Sequence, residues 1–210
     1  MVASQDRLVN SKKDACEAAE TIGFPVVMKI QSPQLLHKTE IGGVKLNLQS
    51  PEAVSNAFSE LITAGKTHTD EEKLRGVLVQ GMADKGHEII IGTVIDPSMG
   101  PLVLVGFGGI AVELYRDVTY RLAPVDTEGA IEMLNSLKSS ALLKGFRGQQ
   151  AIDLQPIAEL IAKVSQIAWD LKDHVGEFEL NPVIVHHADH STPLTIVDGL
   201  MRKRDLSEES

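Results

Sequence analysis

Three apolar segments that follow one another with only short turns between them constrain the fold more than any other feature of the sequence. They read GVLVQGM at 76–82, EIIIGTVID at 88–96 and PLVLVGFGG at 101–109. Short runs rich in valine and isoleucine and bounded by turn residues are typical of buried strands. Because consecutive strands then yield to helical patterns at 128–137 and 157–171, we predict an α+β fold rather than a regular βαβ repeat.

The first 75 residues alternate between helical and strand patterns. Ser11, with Asp14 three residues later, is a start signal for a helix that ends at Gly23. Upstream of the apolar segments we also predict strands at 25–30 and 44–48, a helix at 52–64 and a polar loop at 66–73. Downstream of them we predict strands at 178–185 and 194–197.

Composition and charge limit the classes of function. The formal net charge of -9 argues against nucleic acid or an anionic membrane as a partner. Cys16 is the only cysteine, so neither an intrachain disulfide nor a metal site built on cysteine pairs is possible. With no run of 18 apolar residues and no secretion signal in the sequence, we expect a cytoplasmic protein.

A dinucleotide-binding fingerprint is present at the third apolar segment. Gly106, Gly108 and Ala111 match G-x-G-x-x-A after a predicted strand. The fingerprint also requires a crossover helix and a later strand that ends in an acidic residue. Pro124 comes too early for that crossover, which favours a tight turn between strands over a dinucleotide site.

Lys29 is the one charged residue inside the predicted strand 25–30. It is either a lysine whose ammonium group reaches solvent or a phosphate-binding charge held on a strand. The segment HKTEIGGVK at 37–45 favours the second interpretation, because its glycines let backbone amides approach a polyphosphate closely.

Oxygen-bearing side chains recur near the end of the chain. Glu179 and Asn181 lie two residues apart in ELNP, so in a strand they point to the same face, and Asp198 ends the run LTIVD. Such oxygens are the ligands that Mg²⁺ prefers, although for each residue taken singly a turn or a strand end is the favoured explanation. The histidines in HHADHST at 186–192 suggest a metal cluster, but a polar exposed loop is favoured.

Six ordered segments carry a close resemblance to the ATP-grasp region of ADP-forming acetyl-CoA synthetases. They are IGFPVVMKIQSPQLLHKTEIGGVKL, GVLVQGM, HEIIIGTVIDPSMGPLVLVGFGGIAVEL, GFRG, ELNPVIV and IVD. The β subunit of succinyl-CoA synthetase is similar at a greater distance. The resemblance implies an ATP-grasp fold of two α+β subdomains, 1–80 and 81–203, with a nucleotide cleft between them and a tail at 204–210.

The same resemblance implies an activity. Acid, CoA and ATP would give acyl-CoA, ADP and phosphate reversibly through a phosphohistidine, which makes the enzyme an acid–thiol ligase. ATP or ADP would be the substrate and Mg²⁺ the cofactor. The CoA-binding domain that such an enzyme needs is absent from this sequence, so we expect it in a separate subunit or in the rest of a longer chain.

Site residues follow from the resemblance position by position. His37 matches a second phosphohistidine and is the expected catalytic residue. The positions that match nucleotide-binding residues are Lys29, His37, Lys38, Gln80, Met82 and Glu88. The positions that match the magnesium ligands are Asn181, Asp198 and, more weakly, Glu179.

Two departures from the family pattern leave the choice between ATP and GTP open. Gln80 stands where succinyl-type proteins have glutamate, and Gly199 with Leu200 follows Asp198 where relatives have a small and then a basic residue. An alternative function is a catalytically degenerate, nucleotide-sensing ATP-grasp module like those of related protein acetyltransferases. Retention of the site residues together favours the enzyme.

Overall fold

A computed structural model describes residues 6–35, 38–108, 117–145 and 150–204. The chain divides into two compact units, and the boundary falls between Met82 and Ala83. Within the described ranges no helix has the length and apolar character needed to cross a bilayer.

The N-terminal unit is a four-stranded antiparallel sheet with two helices. Its sheet order is β1-β4-β2-β3. The elements in chain order are β1 (Arg7–Val9), α1 (Lys12–Ile22), β2 (Val26–Gln31), β3 (Val44–Leu48), α2 (Pro51–His68), a 3₁₀ turn (Glu71–Lys73) and β4 (Gly76–Gly81).

Helix α1 begins and ends as predicted. The Ser11 hydroxyl accepts the backbone N–H of Asp14 at 3.1 Å, and Gly23 stops the helix with a φ of 95°. The expected loop at 66–73 is wrong in its first half, because α2 continues to His68. Gly65 lies in the last turns of α2, where a Cβ atom would stand 2.5 Å from Ile30 Cδ1, so the helix packs closely on β2 there.

Alternation along β2 gives the N-terminal sheet two different faces. Val26, Met28 and Ile30 are buried in the core that also contains α1 and α2. Lys29 lies between them in sequence and therefore points to the opposite face. A strand buried on both faces explains why its sequence reads as one continuous apolar run.

The C-terminal unit is a larger antiparallel sheet whose order is β10-β8-β5-β6-β7, with β9 also paired to β8. All described strand pairs in both units are antiparallel, which confirms the α+β prediction. The elements are β5 (His87–Asp96), β6 (Gly100–Phe107), β7 (Val118–Leu122), α3 (Thr127–Ser136), α4 (Ser140–Leu143), α5 (Gln155–Asp170), β8 (Val175–Val185), β9 (Leu194–Ile196) and β10 (Gly199–Lys203).

Helices α3 and α5 cover one face of this sheet. Ile91 and Val105 face Met133 and Ile161 in a core of almost fully buried side chains. Each such burial stabilises the fold by roughly 1.5–3 kcal/mol. The opposite face, which we call the outer face, carries Glu88 and the other residues that alternate with the core positions.

The strand pairing excludes the dinucleotide-binding alternative. Strands β6 and β7 are antiparallel neighbours, with Gly106 opposite Val118. The fingerprint requires a helical crossover to a parallel strand, and this pairing cannot accommodate one. Ala111, its third position, lies outside the described residues.

Candidate functional site

Lys29 is a buried charge in the middle of the N-terminal sheet. It pairs with Val44 on β3 and with Leu78 on β4, and only 5% of its surface is exposed. The interpretation of Lys29 as a solvent-reaching lysine is therefore wrong. Burying a charge is costly unless the group is paired, so a lysine here carries a strong structural or functional requirement.

Gln80 lies on the same sheet face as Lys29. It stands opposite Val27 on β2, and residues two apart on one strand share a face. Its Nε2 donates to Asp6 Oδ2 at 2.6 Å, whereas its Oε1 is buried and has no hydrogen-bond partner among the described residues. Met82 follows β4, is 36% exposed, and donates its N–H to the Pro25 carbonyl at 3.1 Å.

Lys38 sits on a glycine turn that is anchored to β2. The Gly43 N–H donates to the Lys38 carbonyl at 2.7 Å, and Ile30 N–H donates to the Gly43 carbonyl at 2.9 Å. A Cβ atom on Gly43 would stand 2.7 Å from Ile30 Cγ2 and 2.8 Å from the Lys38 oxygen. Only glycine fits so close an approach. His37, the predicted catalytic residue, lies outside the described residues.

Glu88 occupies the outer face at the start of β5. It is exposed, and it pairs with Ile184 on β8. The Gly108 N–H donates to the Glu88 carbonyl at 2.7 Å, and a Cβ on Gly108 would lie 3.0 Å from Glu88 Cβ. The glycine that matched a dinucleotide fingerprint thus serves close packing beside Glu88.

Glu179 and Asn181 lie on β8, and Asp198 stands between β9 and β10, the two strands that pair with β8; we call these three residues the oxygen trio. Asn181 Nδ2 donates to Glu179 Oε1 at 2.9 Å, which confirms that these two side chains share a face. The Asn181 N–H donates to the Asp198 carbonyl at 3.1 Å. Asp198 Oδ1 accepts the N–H of Gly199 at 2.9 Å.

The trio lies at an irregularity of the sheet. β9 and β10 both pair with β8, and Asp198 stands in the junction between them. On the other side of β8 the register with β5 shifts between Ile89 and Ile91, at the level of Asn181 and Pro182. Bulges of this kind redirect side chains and are frequent beside functional sites.

The donor atoms of the trio fit magnesium chemically. The two carboxylates supply negative charge, and Asn181 keeps its Oδ1 available because its Nδ2 bonds Glu179. Magnesium is bound through one or two carboxylates plus substrate phosphates rather than by complete protein cages. In the described parts of the chain, no three His, Cys, Asp or Glu side chains are placed to hold a metal ion by themselves.

The histidines at 186–190 depart from the expected exposed loop. His186 is only 3% exposed, its Nδ1 and Nε2 lie 3.3 Å and 2.9 Å from the Lys85 carbonyl and Thr195 Oγ1, and its ring stacks on His190. The pKa of His190 is raised by its backbone contact with Thr192 and then by Asp84. These contacts give His186 and His190 a structural role at one end of the sheet.

Asp117 makes buried contacts with a distant connection that no pattern in the sequence predicted. It is 2% exposed and accepts the N–H groups of Lys138 and Ser139 at 2.8 Å and 2.7 Å. Burial alone would raise its pKa, but the hydrogen bonds from Ser139 and Lys138 outweigh burial and hold the pKa below its ordinary value. Asp117 therefore ties the start of β7 to the α3–α4 connection.

A surface cavity of about 460 Å³ lies elsewhere in the C-terminal unit. Arg121, Pro124, Asp126 and Gly129 are among its lining residues, and no predicted site residue belongs to its lining. Its position between the end of β7 and the start of α3 separates it from the oxygen trio.

Comparison with known proteins identifies relatives along nearly the whole chain. The ATP-grasp domain family matches residues 2–202. The chain is 37% identical over 182 residues to the acetate–CoA ligase (ADP-forming) II subunit beta of Pyrococcus furiosus, covering 87% of this chain and 77% of that one. It is 41% identical over 178 residues to the 4-hydroxybutyrate–CoA ligase (ADP-forming) of Nitrosopumilus maritimus.

A solved structure agrees with these relatives. It is acetyl-coenzyme A synthetase 1 of Ca. Korarchaeum cryptofilum in complex with coenzyme A and Mg-AMPPCP, with its phosphohistidine segment pointing towards the nucleotide binding site. The TM-score is 0.77 at 37% identity, over 96% of this chain and 85% of that chain. The match to the N. maritimus ligase includes 85% of this chain but only 25% of the length of that ligase.

Proposed function

Because this chain belongs to the ATP-grasp domain family, and within it to the group that contains the β subunits of ADP-forming acetate–CoA ligases, we propose that it is the nucleotide-binding and phosphoryl-transfer portion of an ADP-forming acyl-CoA synthetase. The complete reaction converts acid, CoA and ATP to acyl-CoA, ADP and phosphate. The enzyme is an acid–thiol ligase, and we assign it to the cytoplasm.

The observation that carries this proposal is the oxygen trio. The side chains of Glu179 and Asn181 are joined by a hydrogen bond, and Asp198, which supplies a second carboxylate, is bonded to Asn181 through its backbone carbonyl, in a chain of this family. Residues with only a turn or capping role would not need two carboxylates there. The trio supports a site for the magnesium that accompanies a nucleotide.

The nucleotide is held by groups whose chemistry suits each of its parts. Lys29 supplies a fixed positive charge for phosphate, and Lys38 adds a second one on its glycine turn. Gln80 contacts the base through its side-chain amide, and Met82 contacts it through its thioether. Glu88, exposed on the outer face, accepts hydrogen bonds from the ribose hydroxyls.

Magnesium bound by Glu179, Asn181 and Asp198 would neutralise charge on the phosphate oxygens. The trio fixes the direction of these ligands, since Asn181 is bonded both to Glu179 and to the backbone of Asp198. The Mg-AMPPCP complex of the K. cryptofilum synthetase supports a magnesium nucleotide as the ligand.

His37 is the proposed phosphoryl acceptor. A ring nitrogen of its neutral imidazole attacks the γ-phosphorus of ATP with its lone pair. The N–P bond forms, the P–O bond to the β-phosphate breaks, and ADP leaves with that electron pair. In the reverse direction phosphohistidine returns the phosphoryl group to ADP.

The complete reaction requires a CoA-binding domain or subunit. The β-subunit name of the P. furiosus relatives and the much greater length of the N. maritimus ligase both support such a partner. The partner generates or consumes the acyl phosphate. No observation favours the degenerate sensing module, since the relatives named above are ligases.

Calorimetric titration of the chain with ATP in the presence of Mg²⁺ tests nucleotide binding. We expect saturable binding that is lost when EDTA removes the metal ion. NAD serves as the control ligand and should not bind. Binding of NAD without binding of Mg-ATP would refute the proposal.

A labelling experiment tests the phosphoryl step. The chain is mixed with the CoA-binding partner of the same enzyme, Mg²⁺ and γ-labelled ATP, and acid-labile label is measured. His37→Ala should abolish the label and turnover, whereas His68→Ala, which changes an exposed histidine at the end of α2, should not. Full turnover by His37→Ala would exclude His37 as the acceptor.

A further inference from the structure

Two histidines at one end of the C-terminal sheet are packed edge to face. His87 begins β5 opposite Val185, a core residue of β8, and His187 follows two residues after that valine. The ring centroids of His87 and His187 are 5.9 Å apart, and their planes are inclined by 79°. The His87 ring also meets the ring of Phe107 edge to face at 6.4 Å. Both histidines are half-buried, and we call them the imidazole pair.

His187 has a buried ring nitrogen that the described chain does not use. Its Nδ1 has no hydrogen-bond partner among the described residues. Buried polar atoms are nearly always paired, because an unpaired one loses its bond to water without replacement. By contrast, both ring nitrogens of His186 and both of His190 lie within hydrogen-bond distance of a protein group. Nδ1 of His187 therefore stays available to a ligand.

The protonation state of His87 also favours a ligand. Burial, and then the neighbouring His187, lower the pKa of His87 below its ordinary value. Its imidazole is therefore neutral at pH 7, and a neutral imidazole offers one ring nitrogen with a free lone pair. Two imidazolium charges this close would repel each other. A metal ion avoids that repulsion, because it binds the lone pairs of neutral rings and itself supplies the positive charge.

The distance between the two rings suits a single metal ion. A bond of about 2.0–2.1 Å from zinc to each imidazole nitrogen places the centroids of two ligand rings roughly 5–6 Å apart, for angles at the metal that are tetrahedral or somewhat wider. The separation of 5.9 Å in the imidazole pair falls in that range. The rings of His186 and His190 are instead stacked at 4.1 Å and 21°, so no ion can lie between them in both ring planes.

We propose that His87 and His187 together bind one divalent transition-metal ion of the zinc type, with water completing its coordination. Imidazole nitrogen suits zinc, copper and nickel, whereas magnesium prefers carboxylate and carbonyl oxygens. The imidazole pair therefore selects a different ion from the oxygen trio. Two protein ligands make the ion exchangeable, since structural zinc sites use four. This site does not depend on the proposed function.

Calorimetric titration of the full chain with zinc tests the site. The chain is prepared without a polyhistidine tag, and excess Mg²⁺ occupies the oxygen ligands. His87→Ala and His187→Ala should each weaken zinc binding at least about tenfold, because losing a ligand costs no less than losing an outer-shell partner, which costs about 10–100-fold. His68→Ala, which changes an exposed histidine of α2, should leave zinc binding unchanged.

The stoichiometry of the same titration separates one shared site from two independent ones. The unaltered chain should bind one zinc ion at the pair, and each single variant should lose it entirely. If the unaltered chain binds two ions and each variant loses only one of them, the two histidines do not share an ion and the proposal is wrong. Zinc binding that neither variant weakens would also overturn it.

A spectroscopic measurement on the unaltered chain keeps the test independent of how the variants fold. Cu²⁺ replaces zinc, because it binds nitrogen ligands more tightly, and its electron paramagnetic resonance spectrum shows coupling to each bound nitrogen. We expect coupling to two imidazole nitrogens with the first equivalent of Cu²⁺. Coupling to fewer than two nitrogens would overturn the shared site, while Mg-ATP binding, and with it the proposed function, would be unaffected.

Discussion

The two units carry their site residues in opposite ways. In the N-terminal unit Lys29 and Gln80 are buried within a continuous β2–β4 ladder. In the C-terminal unit the oxygen trio is partly exposed and lies where the β5–β8 register shifts. The first arrangement holds a few polar groups rigidly at the cost of desolvation, whereas the second keeps its ligands hydrated and accessible.

This difference predicts different penalties for losing a group. A group fixed in a regular strand has no neighbour that can replace it. A partly hydrated ligand can be replaced in part by water, since magnesium keeps several waters in its coordination shell. Substitutions in the N-terminal unit should therefore reduce nucleotide affinity more than those in the trio.

The largest effect is expected for Lys29→Met. Removing the buried charge should weaken Mg-ATP binding about a hundredfold, because a charge-assisted hydrogen bond to phosphate is lost. Lys45→Met is the matched control, since Lys45 lies on the neighbouring strand and pairs with Glu60 on α2. Calorimetric titration measures both, and equal affinities for the two variants would show that Lys29 has only a structural role.

Asp117 extends the comparison, because it is a buried carboxylate in the C-terminal unit and each of its two oxygens accepts a backbone hydrogen bond. Asp117→Asn should lower the free energy of unfolding at neutral pH by about 2 kcal/mol, since two backbone N–H groups lose a charged acceptor. Asp126→Asn is the control, because asparagine caps a helix as well as aspartate does. Urea denaturation measures both variants.

The lowered pKa of Asp117 gives this prediction a pH dependence. A carboxyl whose pKa is depressed in the folded state stabilises the fold above its ordinary pKa, and the stabilisation is lost as pH falls through the folded-state value. The unaltered chain should therefore lose stability in acid more steeply than Asp117→Asn. Parallel acid profiles for the two proteins would contradict the assignment.

A smaller effect is expected for Asp198→Asn. Loss of one carboxylate charge from the trio should raise the Mg²⁺ concentration needed for half-maximal ATP binding about tenfold. Glu177→Gln changes an acid on the same sheet that pairs with Arg202, and it should leave the Mg²⁺ requirement unchanged. An unchanged requirement in Asp198→Asn would remove Asp198 from the metal site.

The smallest effect is expected for Glu179→Gln. The new side chain keeps an oxygen that accepts from Asn181 and loses only its charge, so the Mg²⁺ requirement should rise about threefold. The same titration ranks it against Asp198→Asn. A larger rise in the Mg²⁺ requirement for Glu179→Gln than for Asp198→Asn would show that Glu179 contributes more to magnesium binding than Asp198.

The sequence predicted the buried, periodic parts of the fold well and the exposed parts poorly. The apolar runs in the sequence correspond to strands β2, β4, β5 and β6. Most of their side chains are buried, so their sequences contain few polar residues. By contrast β7 was missed, since exposed Tyr120 and Leu122 alternate with polar residues and its pairing with β6 comes from the fold. Tertiary pairing decides such strands, not local propensity.

The candidate site divides in the same way. Lys29 was noticeable as a charge in an apolar run, and the spacing of Glu179 and Asn181 predicted a shared face. The bond between Asp6 and Gln80 joins residues far apart in sequence and leaves no local pattern. The burial of His186 was equally hidden, because Lys85 and Thr195 approach it only in the folded sheet.

Strand β8 has a consequence for the order of folding. It pairs with β5, β9 and β10. Strands β6 and β7 and the helices α3, α4 and α5 lie between β5 and β8 in the chain. Contacts between segments so distant in sequence form slowly, because the loop between them loses entropy before the contacts stabilise it. β9 and β10 follow β8 directly in the chain, so their pairing with β8 closes a much shorter loop and should form earlier. Asp198 should therefore join Asn181 before β8 docks on β5, and the outer-face position of Glu88 relative to the trio should be among the last features that a refolding chain regains.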